Sequence, residues 1–148
     1  MKANMPITPL ATAHLVKLTW HPSYECGHAL IDKQHKALFR DANNLLDAML
    51  CEQPAGRVTE LIDALINDVV QHFQDEEIVY VEAGYPGAVE HTEIHRSLVE
   101  QAAQLANRFH GGNQVLGELF EFLAHDLIAR HMLGEDREFF VYMSRRAG

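Results

Sequence analysis

The amino-acid sequence predicts an all-α fold, an antiparallel up-down-up-down four-helix bundle with an irregular N-terminal arm and a short C-terminal helix. Apolar residues recur at helical spacing in four segments of about 20 residues each. Short segments rich in glycine and proline separate these four. No segment shows the alternation of apolar and polar residues that is typical of a strand. Helices of this length joined by short turns favour antiparallel neighbours, so an up-down bundle is the simplest packing.

The predicted elements follow one another with little chain between them. Residues 1–28 are expected to form the arm, because three prolines and Gly27 interrupt any regular structure there. Residues 29–148 are expected to form the bundle as one domain. Four helices are predicted over residues 30–49, 58–83, 88–109 and 113–133, and a short helix over residues 137–143.

The turns are marked by residues that end helices. The segments Gln53–Gly56, Gly84–Gly87 and Gly111–Gly112 follow the first three helices in turn. Asn113 is a residue type that caps helix starts, so the fourth helix is predicted to begin there. Gly134 is expected to end that helix.

Composition limits the function classes. A chain of 148 residues with 47% hydrophobic residues is large enough to form a stable core without disulfides or a structural metal site. The net charge of −9 disfavours nucleic-acid binding, which depends on lysine and arginine. No apolar run reaches the length of a membrane span, and the first residues lack the pattern of a signal peptide, so a cytoplasmic location is expected. Cys26 and Cys51 are predicted to be free thiols.

Histidines and carboxylates occupy positions that face the interior of the predicted bundle. His72 and Glu76 are four residues apart and therefore share one face of the second helix. His91 and His95 repeat that spacing on the third helix. His35 lies beside the apolar positions of the first helix. Each of these helices thus places at least one side chain of a type that binds metals towards the interior, as in helix bundles with metal sites.

The fourth helix adds His131 and Asp136, whose spacing is unusual. Residues five apart lie about 140° from each other on a regular α-helix. The two side chains therefore converge only if the helix ends or bends between them. Gly134 lies between them, where we expect such an ending.

These seven polar side chains predict a metal site with two ions. Burying them without partners would cost about 1–3 kcal/mol each, and more for ionised carboxylates. Imidazole and carboxylate ligands without thiolate suit iron, manganese or zinc better than copper(I) or an iron–sulfur cluster. Seven ligands exceed the need of one four-coordinate zinc, whereas two bridged metals use them all.

The order of these residues, with the surrounding segments IDKQHKALF, HFQDEE and YPGAVEHTEIH, resembles the bacterial hemerythrins (bacteriohemerythrins). The resemblance extends from Trp20 to about Tyr142. It implies reversible dioxygen binding at a non-haem di-iron centre in an oxygen carrier, store or sensor module, and not in an enzyme. Modules of this family occur both alone and fused to signalling output domains. The resemblance therefore leaves open whether this module is coupled to an output domain.

The resemblance also implies the ligand set of two irons that change between Fe2+ and Fe3+. One iron would have three histidine ligands, His91, His95 and His131. The other would have two, His35 and His72, and would keep an open position for dioxygen. Two carboxylates, Glu76 and Asp136, would bridge the irons together with an oxo or hydroxo group.

The pocket for dioxygen is predicted to be apolar. Its candidate lining residues are Phe39, Phe73, Leu98, Leu127 and Ile128. Such a pocket offers no acid to cleave the O–O bond and holds little water to release peroxide, which favours a carrier over an oxidase. The alternatives are a di-iron enzyme, such as a peroxidase, an oxidase or a nitric oxide reductase, and a non-redox module, such as a phosphotransfer bundle or a zinc store.

Three positions carry further expectations. Leu127 stands where many bacterial hemerythrins have tryptophan, so either a path to the irons is open or neighbouring side chains fill the gap. His28 follows Gly27 where the family usually has an apolar residue; it either reaches the pocket mouth or, as we expect, is solvated. Glu77 is rotated about 100° from Glu76 and is expected to face solvent.

Overall fold

The computed structural model describes residues 16–112 and 115–147, apart from the side chains of residues 135, 136, 146 and 147. Residues 1–15 of the predicted arm and the predicted cap Asn113 lie outside this part. Within it the regular elements are all helices, which confirms the all-α fold.

Three long helices and one composite helix form the bundle. Helix α1 spans Ala29–Leu50, α2 spans Ala55–Glu82 and α3 spans Ala88–His110. Helix α4, Leu116–Glu121, continues directly into a π-helix, Phe122–Glu135, and this continues into α5, Asp136–Ala147. Consecutive helices pack against each other, and the π-helix closes the bundle against α1.

The fourth helix does not end at Gly134, and that expectation is wrong. The π-helix carries the chain through this residue into α5 without a break. Because π-helical hydrogen bonds join residues five apart and α-helical ones residues four apart, a π-helical turn contains more residues than an α-helical turn. The spacing of His131 and Asp136 is therefore closer to one turn here than on an α-helix, and no helix end is required.

A buried polar layer divides the core into two apolar clusters. The larger cluster includes Leu45 and Leu65 and fills one end of the bundle. The smaller one consists of Ile31, Val79, Tyr80 and Phe139. On α1 and α2 the buried histidines lie in the sequence between residues of these two clusters. The polar layer thus has apolar packing on both sides.

His28 caps the start of helix α1. Its Nδ1 accepts a hydrogen bond from the Ile31 backbone N–H at 3.5 Å. The Asp32 carboxylate accepts hydrogen bonds from the backbone N–H groups of Cys26, at 2.8 Å, and Gly27, at 3.1 Å. The expectation that His28 is simply solvated is wrong, because its half-buried ring satisfies a helix terminus.

The described end of the arm packs along the bundle. Asn43 binds the backbone of Leu18 through two hydrogen bonds, both of 2.8 Å. Trp20 packs edge-on against Phe39, with ring centroids 5.1 Å apart. Cys26 and Cys51 are free thiols, as predicted. Among the helices described, none is long and apolar enough to cross a membrane.

The contact between α1 and α2 contains a carboxyl group with a displaced pKa. Burial, together with the neighbouring carboxyl of Asp68, raises the pKa of Asp41 from 3.8 to about 7. Since the folded-state pKa is the higher one, the contribution to stability is complete below pH 3.8 and is lost as the pH rises through about 7.

We therefore expect Asp41→Asn to remove this loss of stability. Urea unfolding measured between pH 4 and pH 8 should show a free energy of unfolding that falls with pH in the wild type and falls less in the variant. Glu60→Gln, at an exposed position on α2, is the control and should leave the pH profile unchanged. Parallel profiles for wild type and Asp41→Asn would contradict this assignment.

Candidate metal centre

The described predicted ligands meet in one buried layer. All six are at most 3% exposed. They are His35 from α1, His72 and Glu76 from α2, His91 and His95 from α3, and His131 from the π-helix. Asp136, the seventh, begins α5, and its side chain lies outside the described part.

Glu76 lies at the centre of this layer. One carboxylate oxygen, Oε2, is 3.5 Å from His72 Nε2 and 3.8 Å from His35 Nε2. The other oxygen, Oε1, is 3.2 Å from His95 Nε2. The two oxygens thus face different groups of histidines.

Two sets of ligand atoms share this carboxylate. His35, His72 and Glu76 form one set, and Glu76, His95 and His131 form the other, with the atoms of each set within 4.8 Å of one another. His91 is outside both sets but near the second, since its ring centroid is 6.5 Å from that of His95 and 6.3 Å from that of His131. The arrangement provides two adjacent metal positions with one common ligand.

The ring nitrogen of His95 that points away from the buried layer, its outer nitrogen, is hydrogen-bonded to a carboxylate. Its Nδ1 is 2.7 Å from Glu77 Oε2. An ionised carboxylate only accepts hydrogen bonds, so Nδ1 carries the proton and Nε2 presents a lone pair to the centre. The expectation that Glu77 faces solvent is wrong: a rotation of about 100° from Glu76 directs it to α3, and only 29% of its side chain is exposed.

The outer nitrogen of His72 is held by an amide. Its Nδ1 is 2.7 Å from Gln34 Oε1. The amide orientation is fixed by Asp75, whose Oδ2 accepts a hydrogen bond of 2.7 Å from Gln34 Nε2. Because the Gln34 oxygen only accepts, the His72 Nδ1 donates, and its Nε2 also presents a lone pair inward. Sequence reasoning missed Gln34 and Asp75.

The protonation states suit metal binding. Burial lowers the pKa of His72 to about 3 and also lowers the pKa of His35, so both imidazoles are neutral at pH 7. Burial alone would raise the pKa of Glu76, but the surrounding His95, His72 and His35 side chains lower it below its usual range. Neutral imidazole and ionised carboxylate are the forms that bind metals.

Three candidate metal-ligating atoms at the centre lack a hydrogen-bond partner, whereas His35 Nε2 and His72 Nε2 lie within hydrogen-bond distance of each other, at 3.0 Å. Both Glu76 oxygens and His95 Nε2 are buried without a hydrogen-bond partner among the described atoms. His95 Nε2 and Glu76 Oε1 are 3.2 Å apart, close enough to share a proton or to bind one metal ion together. Buried acceptors are costly when unsatisfied, so these residues fit a bound metal.

Apolar side chains enclose the layer. Phe73 stacks on His95 with ring centroids 3.8 Å apart and meets His131 edge-on at 5.5 Å. The five predicted pocket residues belong to the larger apolar cluster or pack against it: Phe39, Phe73, Leu127 and Ile128 are buried, and Leu98 is partly buried. Leu127 is fully buried, which favours the alternative that neighbouring side chains fill the space of a tryptophan.

We expect Leu127→Ala to open a cavity in this wall. The loss of stability should be about 2–5 kcal/mol, as for other buried leucines replaced by alanine. Chemical unfolding checks this loss. Leu50→Ala, at an exposed position, is the control; a Leu127→Ala variant as stable as the wild type would contradict the wall assignment.

Comparisons with known proteins agree with this geometry. The family model described as the hemerythrin HHE cation binding domain matches residues 26–142. A bacteriohemerythrin of Stenotrophomonas maltophilia is 31% identical over 122 residues, which cover 82% of this chain and 78% of the relative. One of Pseudomonas aeruginosa is 32% identical, covering 84% and 78%. One of Methylococcus capsulatus is 30% identical, covering 81% and 92%.

Proposed function

We propose that this protein, which belongs to the hemerythrin family, binds dioxygen reversibly at a pair of non-haem irons. The observation that carries the proposal is the position of Glu76, whose two oxygens face two separate groups of buried histidines. A single buried carboxylate in that position is suited to bridge two cations. The surrounding neutral imidazoles are suited to complete both ligand spheres.

The ligand set we propose has two unequal halves. His35 and His72 would hold one iron, and His91, His95 and His131 would hold the other. Glu76 and Asp136 would be carboxylate ligands shared by both irons, together with an oxo or hydroxo group. The course of α5 supports the role of Asp136, because Phe140, one turn later, has its ring centroid 6.1 Å from that of His35.

The protein residues determine what the irons do. A pair of bound ferrous ions would supply the two electrons that dioxygen accepts reversibly. Phe73 and Leu127 exclude water from the centre, and neither side chain can donate a proton. Glu77 and Gln34 accept hydrogen bonds from the outer N–H groups of His95 and His72 and so fix both rings. Rigid, dry surroundings favour release of the gas as dioxygen over its loss as peroxide or its further reduction.

This account favours a carrier, a store or a sensor over an enzyme. Di-iron oxidases of the ferritin type use carboxylate-rich sites built from Glu and Glu-x-x-His, whereas five of the six described ligands here are histidines. A peroxidase or nitric oxide reductase is the alternative. A sensor would transmit the iron state through the helices that bear Glu76 and Asp136, since a ligand shifts only states that it contacts differently.

Anaerobic loading with ferrous iron tests the proposal. We expect two irons per chain and a visible absorption band that appears with dioxygen and disappears when the gas is removed. Zinc-loaded protein is the control and should show no band. Peroxide consumption or product formation under turnover would support the enzyme alternative, and failure to bind iron would overturn both.

A further inference from the structure

The two proposed metal positions differ in the charge behind their histidines. His95 donates its outer N–H to a carboxylate, Glu77, at 2.7 Å. His72 donates to a neutral amide, Gln34, also at 2.7 Å. A negative charge does lie behind His72, on Asp75, but it is one hydrogen bond farther away. The lengths match, so the difference is one of charge and not of distance.

Both outer residues are chain neighbours of a ligand on a different helix. Gln34 precedes His35 on α1 and binds His72 on α2, and Glu77 follows Glu76 on α2 and binds His95 on α3. A step of one residue turns a side chain by about 100°, from the bundle axis towards the adjacent helix. Each of these side chains therefore links two helices while it orients a ligand.

We propose that Glu77 and Gln34 are positioning residues whose unequal charge makes the two irons unequal, so that the iron bound by His95 is stabilised as Fe3+ more than the iron bound by His72. This inference rests on the proposed function. Under this proposal, two residues that are not metal ligands control the oxidation equilibrium of the centre.

The physical basis is the basicity of the ligand. A carboxylate that accepts the outer N–H of a metal-bound imidazole draws the proton towards itself and increases electron density on the inner nitrogen. A more electron-rich nitrogen stabilises the higher charge of Fe3+. An amide has this effect only weakly. The buried surroundings enlarge the difference, because charges interact more strongly at a low effective dielectric constant.

Two charge exchanges test the proposal. Glu77→Gln replaces the carboxylate behind His95 with an amide. The double variant Gln34→Glu with Asp75→Asn moves a carboxylate next to His72 at constant net charge. In that variant Asp75→Asn offers an amide to donate to the new carboxylate and an oxygen to accept from Gln71, which binds Asp75 at 3.1 Å. Both variants keep the hydrogen-bonded network. Glu77→Gln removes one charge from it, and the double variant moves one charge within it.

We expect the reduction potential of the iron-loaded protein to move in opposite directions. Glu77→Gln should raise it, and the double variant should lower it, each by about a tenfold change in the oxidation equilibrium, or about 59 mV for one electron. Mössbauer spectra of 57Fe-loaded protein should show the larger change at a different iron in each variant. Glu82→Gln removes the same charge as Glu77→Gln from an exposed position on α2 and should leave the potential unchanged.

The possible outcomes separate this inference from the proposed function. Shifts in opposite directions support the inference. Shifts in the same direction, or none, with two irons and reversible oxygenation retained, overturn it and leave the proposed function standing. If one variant does not fold, the sign of the shift in the other decides. Wild-type protein that binds no iron overturns the proposed function itself.

Discussion

Replacement of Glu76 by glutamine is expected to remove both irons. Glu76 is fully buried, and its two oxygens face the two histidine groups, so both metal positions depend on its charge. Glutamine keeps the volume but removes the negative charge that offsets two cations. The iron content measured after anaerobic loading should fall from two irons per chain to well below one.

The helical fold should survive this replacement. Glutamine keeps the shape of the side chain. It also removes a buried charge, and in the metal-free protein such a charge destabilises the folded state. Circular dichroism and thermal unfolding of the metal-free variant check this point. Glu82→Gln is the matched control at an exposed position of the same helix. Retention of two irons by Glu76→Gln would show that Glu76 is not the shared ligand.

Replacement of His72 by alanine is expected to remove one iron only. His72 belongs to the set with His35 and Glu76, whereas His95 and His131 are in the other set. The variant should bind about one iron per chain and lose the absorption band that depends on dioxygen. His110→Ala is the control, because His110 is exposed and its ion-pair partner, at 3.5 Å, is Asp63.

The contrast between these two variants tests the sharing of Glu76. A loss of two irons from one change and of one iron from the other follows only if a single carboxylate serves both positions. If His72→Ala retained two irons and an unchanged visible spectrum, the ligand assignment would be wrong.

The sequence predicted the fold and the described ligand positions for a simple reason. Three of the helices are regular, so spacings of four residues place His72 with Glu76, and His91 with His95, on one face. Burial of the polar side chains follows from apolar neighbours on the same faces. All six described candidate ligands are indeed buried, and all but His91 fall into the two sets around Glu76.

The π-helix was not predicted, because a regular α-helix of 3.6 residues per turn was expected throughout. Its signal was present in the spacing of His131 and Asp136, which does not fit one face of an α-helix. An end of the helix at Gly134 was the explanation that we expected. A change in the helical hydrogen-bond pattern from Phe122 to Glu135 accounts for the same spacing without interrupting the helix.

Glu77 and Gln34 were missed for a different reason. Their partners lie on neighbouring helices, and contacts of this kind depend on how helices are rotated against each other, which one helix's periodicity does not determine. Their position directly beside a ligand was the available signal. His28 was missed because histidine is not among the residue types preferred at helix starts.

Anomalous diffraction at the iron edge, from crystals grown with ferrous iron, tests the central claim most directly. We predict two iron peaks on opposite sides of the Glu76 carboxylate, one beside His35 and His72 and the other beside His95 and His131. A single peak, or peaks remote from Glu76, would contradict the claim that these buried side chains form a two-iron centre.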